Sequence, residues 1–329
     1  MKNQRSNKVL KRVLKVILVL LLLIAIVPYL IPLSKAEQPL YPYENSHHYD
    51  IDETTIHYRV YEPDTELVLG KILLIHGLGG STFSYETNAP FLAQAGYLVI
   101  TVDLPGFGYS SRNINEDHAQ ANRATQLWQL LDEIDQQALY NGSFTSSWHI
   151  GGHSMGGGTA VAMAFIRQDD VASVILIDGA LFENNRSTTF VTLPIVSRII
   201  QVLLEHVLIK PDRIESFLTS AYGQTPTEEQ VLGYLTPLTL NGTVRSALSL
   251  LKTAKNISEE NLSDLELPIL ALWGEDDAWV PVETTIKIKD LMPQTQITVI
   301  EGAGHVPMET HPREFNQILL QWLTSNSTN

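Results

Sequence analysis

Six short apolar runs in this chain each reach a glycine, aspartate or histidine within two residues of their end, and this repetition restricts the fold more than any other feature. Ile72-Leu73-Leu74-Ile75 runs into His76-Gly77, Leu98 to Val102 into Asp103, and Trp148-His149-Ile150 into Gly151-Gly152-His153-Ser154. Val174 to Ile177 stops at Asp178, Ile269 to Trp273 stops at Gly274, and Ile297 to Ile300 leads to Gly302 and His305. Runs this short and this continuous fit strands covered on both faces rather than strands with one wet face. Helix-length segments separate most of them. The expected fold class is therefore α/β, a mostly parallel central sheet with helices on both faces. Open sheets of this kind bind ligands beyond the carboxyl ends of their strands, which is where the polar residues of this chain collect.

Two further runs, near His48–Ile51 and Thr55–Tyr61, flank a turn at Asp52-Glu53. Ile56, Tyr58 and Val60 alternate, which suits a half-exposed edge hairpin. The strand spacing breaks once, between Asp178 and Ile269, and that gap holds the apolar, helix-like stretch Phe190 to Ile209. A loop of that length without structure is improbable, so residues 181–263 are expected to form a helical cap over the strand ends. Residues 44–180 and 264–329 then form the core.

Val16 to Leu33 carries no charge, and only Pro28, Tyr29 and Pro32 interrupt its aliphatic character. As a helix it would reach roughly 27 Å, close to the hydrocarbon thickness of a bilayer. Lys2, Arg5, Lys8, Lys11, Arg12 and Lys15 precede it. The positive-inside rule would keep residues 1–15 cytoplasmic and place the body outside. Residues 16–33 thus read as a transmembrane anchor, with 34–43 as a linker. The alternative is a signal peptide cut after Ser34-Lys35-Ala36, giving a secreted protein; the length of the run favours the anchor.

The net charge of −14 understates the body's acidity, because the first 36 residues hold seven cations and no acids. A body this acidic repels polyanions, so no nucleic-acid partner is expected. The chain has no cysteine, which excludes thiol nucleophiles, disulfides and thiolate metal sites.

Gly152-His153-Ser154-Met155-Gly156 fits G-x-S-x-G, with an apolar strand before it and a helix-compatible segment, Ala160–Ile166, after it. In that setting a serine sits on a tight strand-to-helix turn with its Oγ raised above the sheet. A serine hydroxyl needs a base, and the base needs an orienting acid. The base expected is His305, on a glycine-flexed loop after the last strand; His311, just before Pro312, is the competitor. Among the acids, Asp277 stands four residues past Trp273 with Pro281 closing the loop. Asp276 and Asp178 remain alternatives. The backbone N–H groups of Met155 and Leu78 are the candidates for an oxyanion hole.

These residues resemble the α/β-hydrolase superfamily, in its lipase, esterase and peptidase-like branch with a helical cap. The resemblance spans about residues 44–325 and rests on five motifs in order: His76-Gly77-Leu78-Gly79-Gly80, Asp103 to Ser110, Gly152 to Gly157, Trp273 to Asp277, and Gly302-Ala303-Gly304-His305. It implies a structural role for Asp103. It also argues against haloalkane dehalogenases and epoxide hydrolases, which use aspartate where this chain has Ser154. The activity implied is a serine hydrolase cleaving a carboxylic ester, lipophilic and monoacylglycerol-like, with no metal and no organic cofactor. Alternatives are an aminopeptidase of the proline-iminopeptidase type, a C–C bond hydrolase, and an inactive binding protein on the same fold.

Overall fold

Every one of the six apolar runs is a strand. The computed structural model describes residues 2–39, 41–65, 68–137, 147–182, 191 and 193–326. A long helix, α1 (Lys2–Leu30), leads into the hairpin β1 (Ser46–Ile51) and β2 (Thr54–Tyr61). There follow β3 (Gly70–Ile75), α2 (Asn88–Gln94), β4 (Tyr97–Val102), α3 (Gln120–Gln136), β5 (Trp148–His153), α4 (Met155–Ile166) and β6 (Val171–Ile177). Four helices come next, α5 (Pro194–Leu203), α6 (Pro211–Tyr222), α7 (Glu228–Leu238) and α8 (Thr243–Thr253). The chain then closes with β7 (Ile269–Gly274), α9 (Thr284–Leu291), β8 (Gln296–Ile300), α10 (Pro307–Thr310) and α11 (Pro312–Asn326).

The strands form one sheet in the order β1-β2-β4-β3-β5-β6-β7-β8. Strands β3 to β8 pair in parallel, and β2 is antiparallel to both β1 and β4. Period-two alternation divides the core between two faces. Leu73 and Ile75 point to the side covered by α3 and α4, while Ile72 and Leu74 point to the side covered by α2 and α11. The winding reverses at β3, which has β4 on one side and β5 on the other. The crevice beyond the ends of β3 and β5 is therefore the ligand position expected of such a sheet.

The hairpin differs from its expectation. Only β1 is an edge; β2 lies inside the sheet and is buried along most of its length, including His57 and Arg59 on the face opposite Ile56, Tyr58 and Val60. The alternation is present, but both faces are covered. Asp52 makes the turn with φ 50°.

One helix carries both the basic residues and most of the apolar run: α1 is unbroken from Lys2 to Leu30, and its apolar span is Leu10–Leu30 with mean hydropathy 2.9, none of it buried in the protein. The helix ends before Leu33 because the prolines at 28 and 32 withhold the N–H groups that would extend it. The segment expected as a linker is not a free tether. Ser34 Oγ donates to the Thr239 carbonyl at 2.8 Å, and Asn241 N–H donates to the Ala36 carbonyl at 2.9 Å.

The described part of the segment between β6 and β7 is mostly helical, but the apolar stretch from Leu193 to Ile209 is not what closes over Ser154. Phe190 lies outside the described residues. From Leu193 to Ile209 no residue is buried and none lines the crevice at Ser154. Helices α6 and α7 cover it instead.

One buried carboxylate braces the ends of β2, β3 and β4 together. Asp103 accepts His57 Nδ1–H at 2.7 Å, Tyr109 N–H at 2.7 Å and Thr82 N–H at 2.6 Å. Burial opposes its charge, but the His57 charge and hydrogen bond, with further help from Tyr109, hold the carboxyl below its ordinary range. Asp103→Ala would strand these donors in a dry site. The expected loss is about 3–5 kcal/mol of unfolding free energy, checked by urea titration against wild type.

Candidate active site

The candidate nucleophile sits where the backbone is most constrained. Ser154 has φ 50° and ψ −117°, outside the region open to most L-residues, and it caps α4. Its N–H donates to the Ile177 carbonyl and its own carbonyl accepts from Ala180 N–H, both at 2.9 Å. The turn is tight enough to require glycine on both sides. A Cβ on Gly152 would lie 2.2 Å from the Gly156 carbonyl oxygen, and one on Gly156 would lie 2.4 Å from that of Ile75. The glycines thus bring α4 against the end of β3 while Ser154 Oγ projects into the crevice.

The structure brings Ser154, His305 and Asp277 together from three strand ends. Ser154 O–H donates to His305 Nε2 at 3.0 Å, and His305 Nδ1–H donates to Asp277 Oδ2 at 2.7 Å. Asp277 Oδ1 accepts the N–H groups of Trp279 at 2.7 Å and Val280 at 2.9 Å. Burial works against the Asp277 charge, but the His305 hydrogen bond and charge, followed by Val280 N–H and Asp178, hold its carboxyl below the ordinary value. The Trp279 ring stacks on His305 at 5.2 Å, shielding it on one face.

The two alternative acids are placed differently. Asp276 is exposed, and only its backbone N–H is engaged, to the Ala303 carbonyl. Asp178 is fully buried beside Asp277, with φ 46°, and its Oδ1 accepts Gly274 N–H at 2.9 Å. Burial first, and the Asp277 charge second, push its carboxyl well above the ordinary range. A neutral Asp178 has a proton to share with Asp277, which accounts for an Oδ2 that otherwise has no donor. The competing histidine, His311, meets Thr310 Oγ1 and takes no part in this group. Asp178, Asp277 and His305 have potential ligand atoms within 4.8 Å of one another. Both ring nitrogens of His305 and Asp277 Oδ1 are already taken by hydrogen bonds, so the cluster is arranged for proton sharing rather than for a cation.

Two buried histidines hold the surrounding loops. His76 Nδ1–H donates to the Gly77 carbonyl at 2.6 Å and its Nε2 accepts Leu104 N–H at 3.0 Å. His153, pushed down to about 3 chiefly by burial, stays neutral and donates Nε2–H to the His305 carbonyl at 2.7 Å. Among the described residues the N–H groups of Leu78 and Met155 have no protein acceptor, and Leu78 and Ser154 line the same crevice.

Other residues of the site carry no local sequence signal. Phe217, Leu218 and Ala221 of α6 and Tyr234 of α7 close the crevice. Ala221 accepts His305 N–H at 2.7 Å, and Trp279 Nε1–H donates to Ser220 Oγ at 3.1 Å. Glu309, pushed up to about 7 by burial despite its hydrogen bonds, accepts the hydroxyls of Tyr222 and Tyr234. Only Trp279, two residues past Asp277, lies close enough to a motif for inspection to find it.

Comparison with known proteins agrees with the fold. A family model for the alpha/beta hydrolase fold matches residues 71–312. Lipase 3 of a Moraxella species is 30% identical over 258 residues, 76% of this chain and 76% of its own length. A 2-hydroxy-6-oxononadienedioate/2-hydroxy-6-oxononatrienedioate hydrolase of Burkholderia vietnamiensis is 28% identical over 276 residues, covering 80% of this chain and 91% of its own. The crystal structure of a bacterial membrane phospholipase A superposes with a TM-score of 0.68 at 25% identity, over 86% of each chain.

The proton on Asp178 has a measurable consequence. A carboxyl whose pKa is raised by folding destabilises the fold as it ionises. That cost is absent below the unfolded pKa of about 3.9 and grows as pH rises towards the folded value. Asp178→Asn removes it and keeps an N–H donor for Asp277. Relative to wild type, the variant is expected to gain stability progressively as pH rises from about 4 to about 7. Urea unfolding across that range checks it; Asp277, whose shift has the opposite sign, is common to both proteins.

Proposed function

This chain belongs to the alpha/beta hydrolase fold family, and from that premise we propose that it is a membrane-anchored serine hydrolase acting on lipophilic carboxylic esters. The observation that carries the reading is the hydrogen-bonded series from Ser154 Oγ through His305 to Asp277 Oδ2. With Nδ1–H held by Asp277, His305 presents the lone pair of Nε2 to the serine proton. Ser154 Oγ attacks the ester carbonyl as that proton passes to Nε2, and Asp277 stabilises the imidazolium. The N–H groups of Leu78 and Met155 receive the oxyanion. His305 then protonates the leaving alcohol, and water, activated by the same imidazole, clears the acyl-enzyme.

The lining of the crevice favours an apolar acyl group. Phe217, Leu218, Ala221, Val306 and Trp279 surround the serine, and no lysine, arginine, aspartate or glutamate lines it among the described residues. A dioate of the kind named for the Burkholderia relative would bring two carboxylates with no cation to meet them, and a peptide N-terminus would find no carboxylate there. The lipase and phospholipase relatives point the same way. The apolar span of α1 supports an anchor, with the helices from 194 to 253 read as a cap over the core.

Fluorophosphonate labelling of wild type beside Ser154→Ala tests the nucleophile. Label is expected on wild type alone. Turnover of p-nitrophenyl esters is expected to fall by at least about 10⁴-fold in Ser154→Ala and by about 10³–10⁴-fold in Asp277→Asn. A chain-length series on wild type should rise from acetyl to longer acyl groups; a preference for acetyl would overturn the lipophilic part of the reading.

A further inference from the structure

An apolar surface that the protein covers only in part lies where α1 leaves its apolar span. Along α5, Ile195, Val196, Ile199, Ile200, Val202 and Leu203 fall on one broad arc, with Ser197, Arg198 and Gln201 opposite. Not one residue of α5 is buried. A π turn over Leu204–Leu208 continues the surface, with Leu203, Val207 and Leu208 each about half exposed. Amphipathic helices of globular proteins bury such an arc against a core; here Val196, Ile199, Ile200 and Val202 are only partly covered, and Ile195 and Leu203 are exposed.

The polar side of the same element grips the end of α1. Arg198 donates through Nε to the Pro28 carbonyl at 3.0 Å and through Nη2 to the Ile31 carbonyl at 2.5 Å. His206 Nε2 donates to the Pro32 carbonyl at 2.9 Å, and Ser34 N–H donates to Glu205. These carbonyls belong to the last turn of the helix and the residues just past it, which otherwise lack donors. The contacts fix α5 and the π turn within about one helical turn, roughly 5 Å, of the end of α1. A helix spanning Leu10–Leu30 reaches the bilayer boundary at that end.

We propose that α5 and the following π turn form a second, monotopic contact with the bilayer, seated in the headgroup–acyl boundary beside the α1 exit. The proposal rests on reading α1 as a membrane span. The partner is lipid. The fixed geometry carries the arc to the boundary, and its residues are aliphatic, as interfacial burial requires. The strongly acidic body makes attraction to anionic headgroups an inadequate substitute. The contact would also set the approach of substrate, because the chain passes directly from this surface into α6, whose Phe217 and Leu218 line the crevice at Ser154.

The absence of cysteine makes a site-specific test direct. Leu203→Cys, Val207→Cys and, on α9, Ile286→Cys are labelled with an environment-sensitive fluorophore in the full chain. Each is reconstituted into phosphatidylcholine vesicles, with hydrolysis of soluble p-nitrophenyl butyrate confirming that the fold is intact. Should either of the first two variants lose that activity, Leu208→Cys replaces it. Vesicle flotation reads the anchor by itself. The expected result is flotation, with labels at 203 and 207 shifted to the blue and quenched by acyl-chain spin-labelled lipid, and the label at 286 unchanged. Flotation with labels still in an aqueous environment overturns the contact and leaves the anchor standing. A blue shift without lipid quenching means that protein, such as a second copy of the chain, covers the surface, and also overturns it. Failure to float removes the anchor reading and this proposal together.

Discussion

The candidate site depends on how closely the turn after β5 approaches the end of β3. Two strands of a parallel sheet bring their carboxyl ends side by side, but a nucleophile between them needs more than proximity. It needs a backbone that reverses from strand to helix within a residue while another backbone passes almost in contact. The positive φ of Ser154 and the missing side chains at 152 and 156 are two aspects of one steric solution. Once the turn is so placed, Oγ, the free Met155 N–H and the loop after β3 face a common space without adjustment. The cost of the strained turn is carried by the sheet, whose strands β3, β5 and β6 are buried on both faces.

Electrostatic arrangement then separates two neighbouring carboxyls. Asp277 collects donors from His305, Trp279 and Val280, whereas Asp178 has one backbone donor and complete burial. Two adjacent charges in a dry site repel, so the group with fewer donors keeps its proton. The neutral acid leaves a single negative charge beneath His305, which is what an imidazolium formed at that position requires. The buried histidines obey the same rule: His76 and His153 are neutral, and each spends its N–H on a carbonyl of the loops that carry the reacting groups.

Helix α6 couples the covering helices to the base. Its last turn accepts the His305 N–H and sends Tyr222 to Glu309, and Phe217 one turn earlier meets the Trp279 ring edge at 4.6 Å between centroids. The roof is therefore bonded to the loops bearing Asp277 and His305, not simply laid over the crevice. Displacing α6 would disturb the orientation of the imidazole as well as the shape of the crevice.

Much was legible in the sequence because it is encoded in local pattern. Continuous apolar runs gave six parallel strands, and G-x-S-x-G between a strand and a helix marked the turn at Ser154. The order of motifs pointed to His305 and to Asp277, with Asp276 and Asp178 as alternatives. The motif spacing favoured Asp277 over Asp276 and Asp178, but the donors and burial that separate the three were not visible in it, since they come from other segments, such as Gly274 for Asp178 and His305 for Asp277. The interior position of β2 was equally hidden, because alternation reports one covered face and cannot reveal a second. What covers the stretch Phe190 to Ile209 was hidden for a related reason: an apolar helical pattern states that a face avoids water, but not what receives it. Local periodicity and turn chemistry thus determined the fold and the residue types of the candidate site. Long-range packing alone decided which carboxyl meets His305 and which helices close over Ser154, because desolvation and hydrogen-bond supply are properties of the assembled interior.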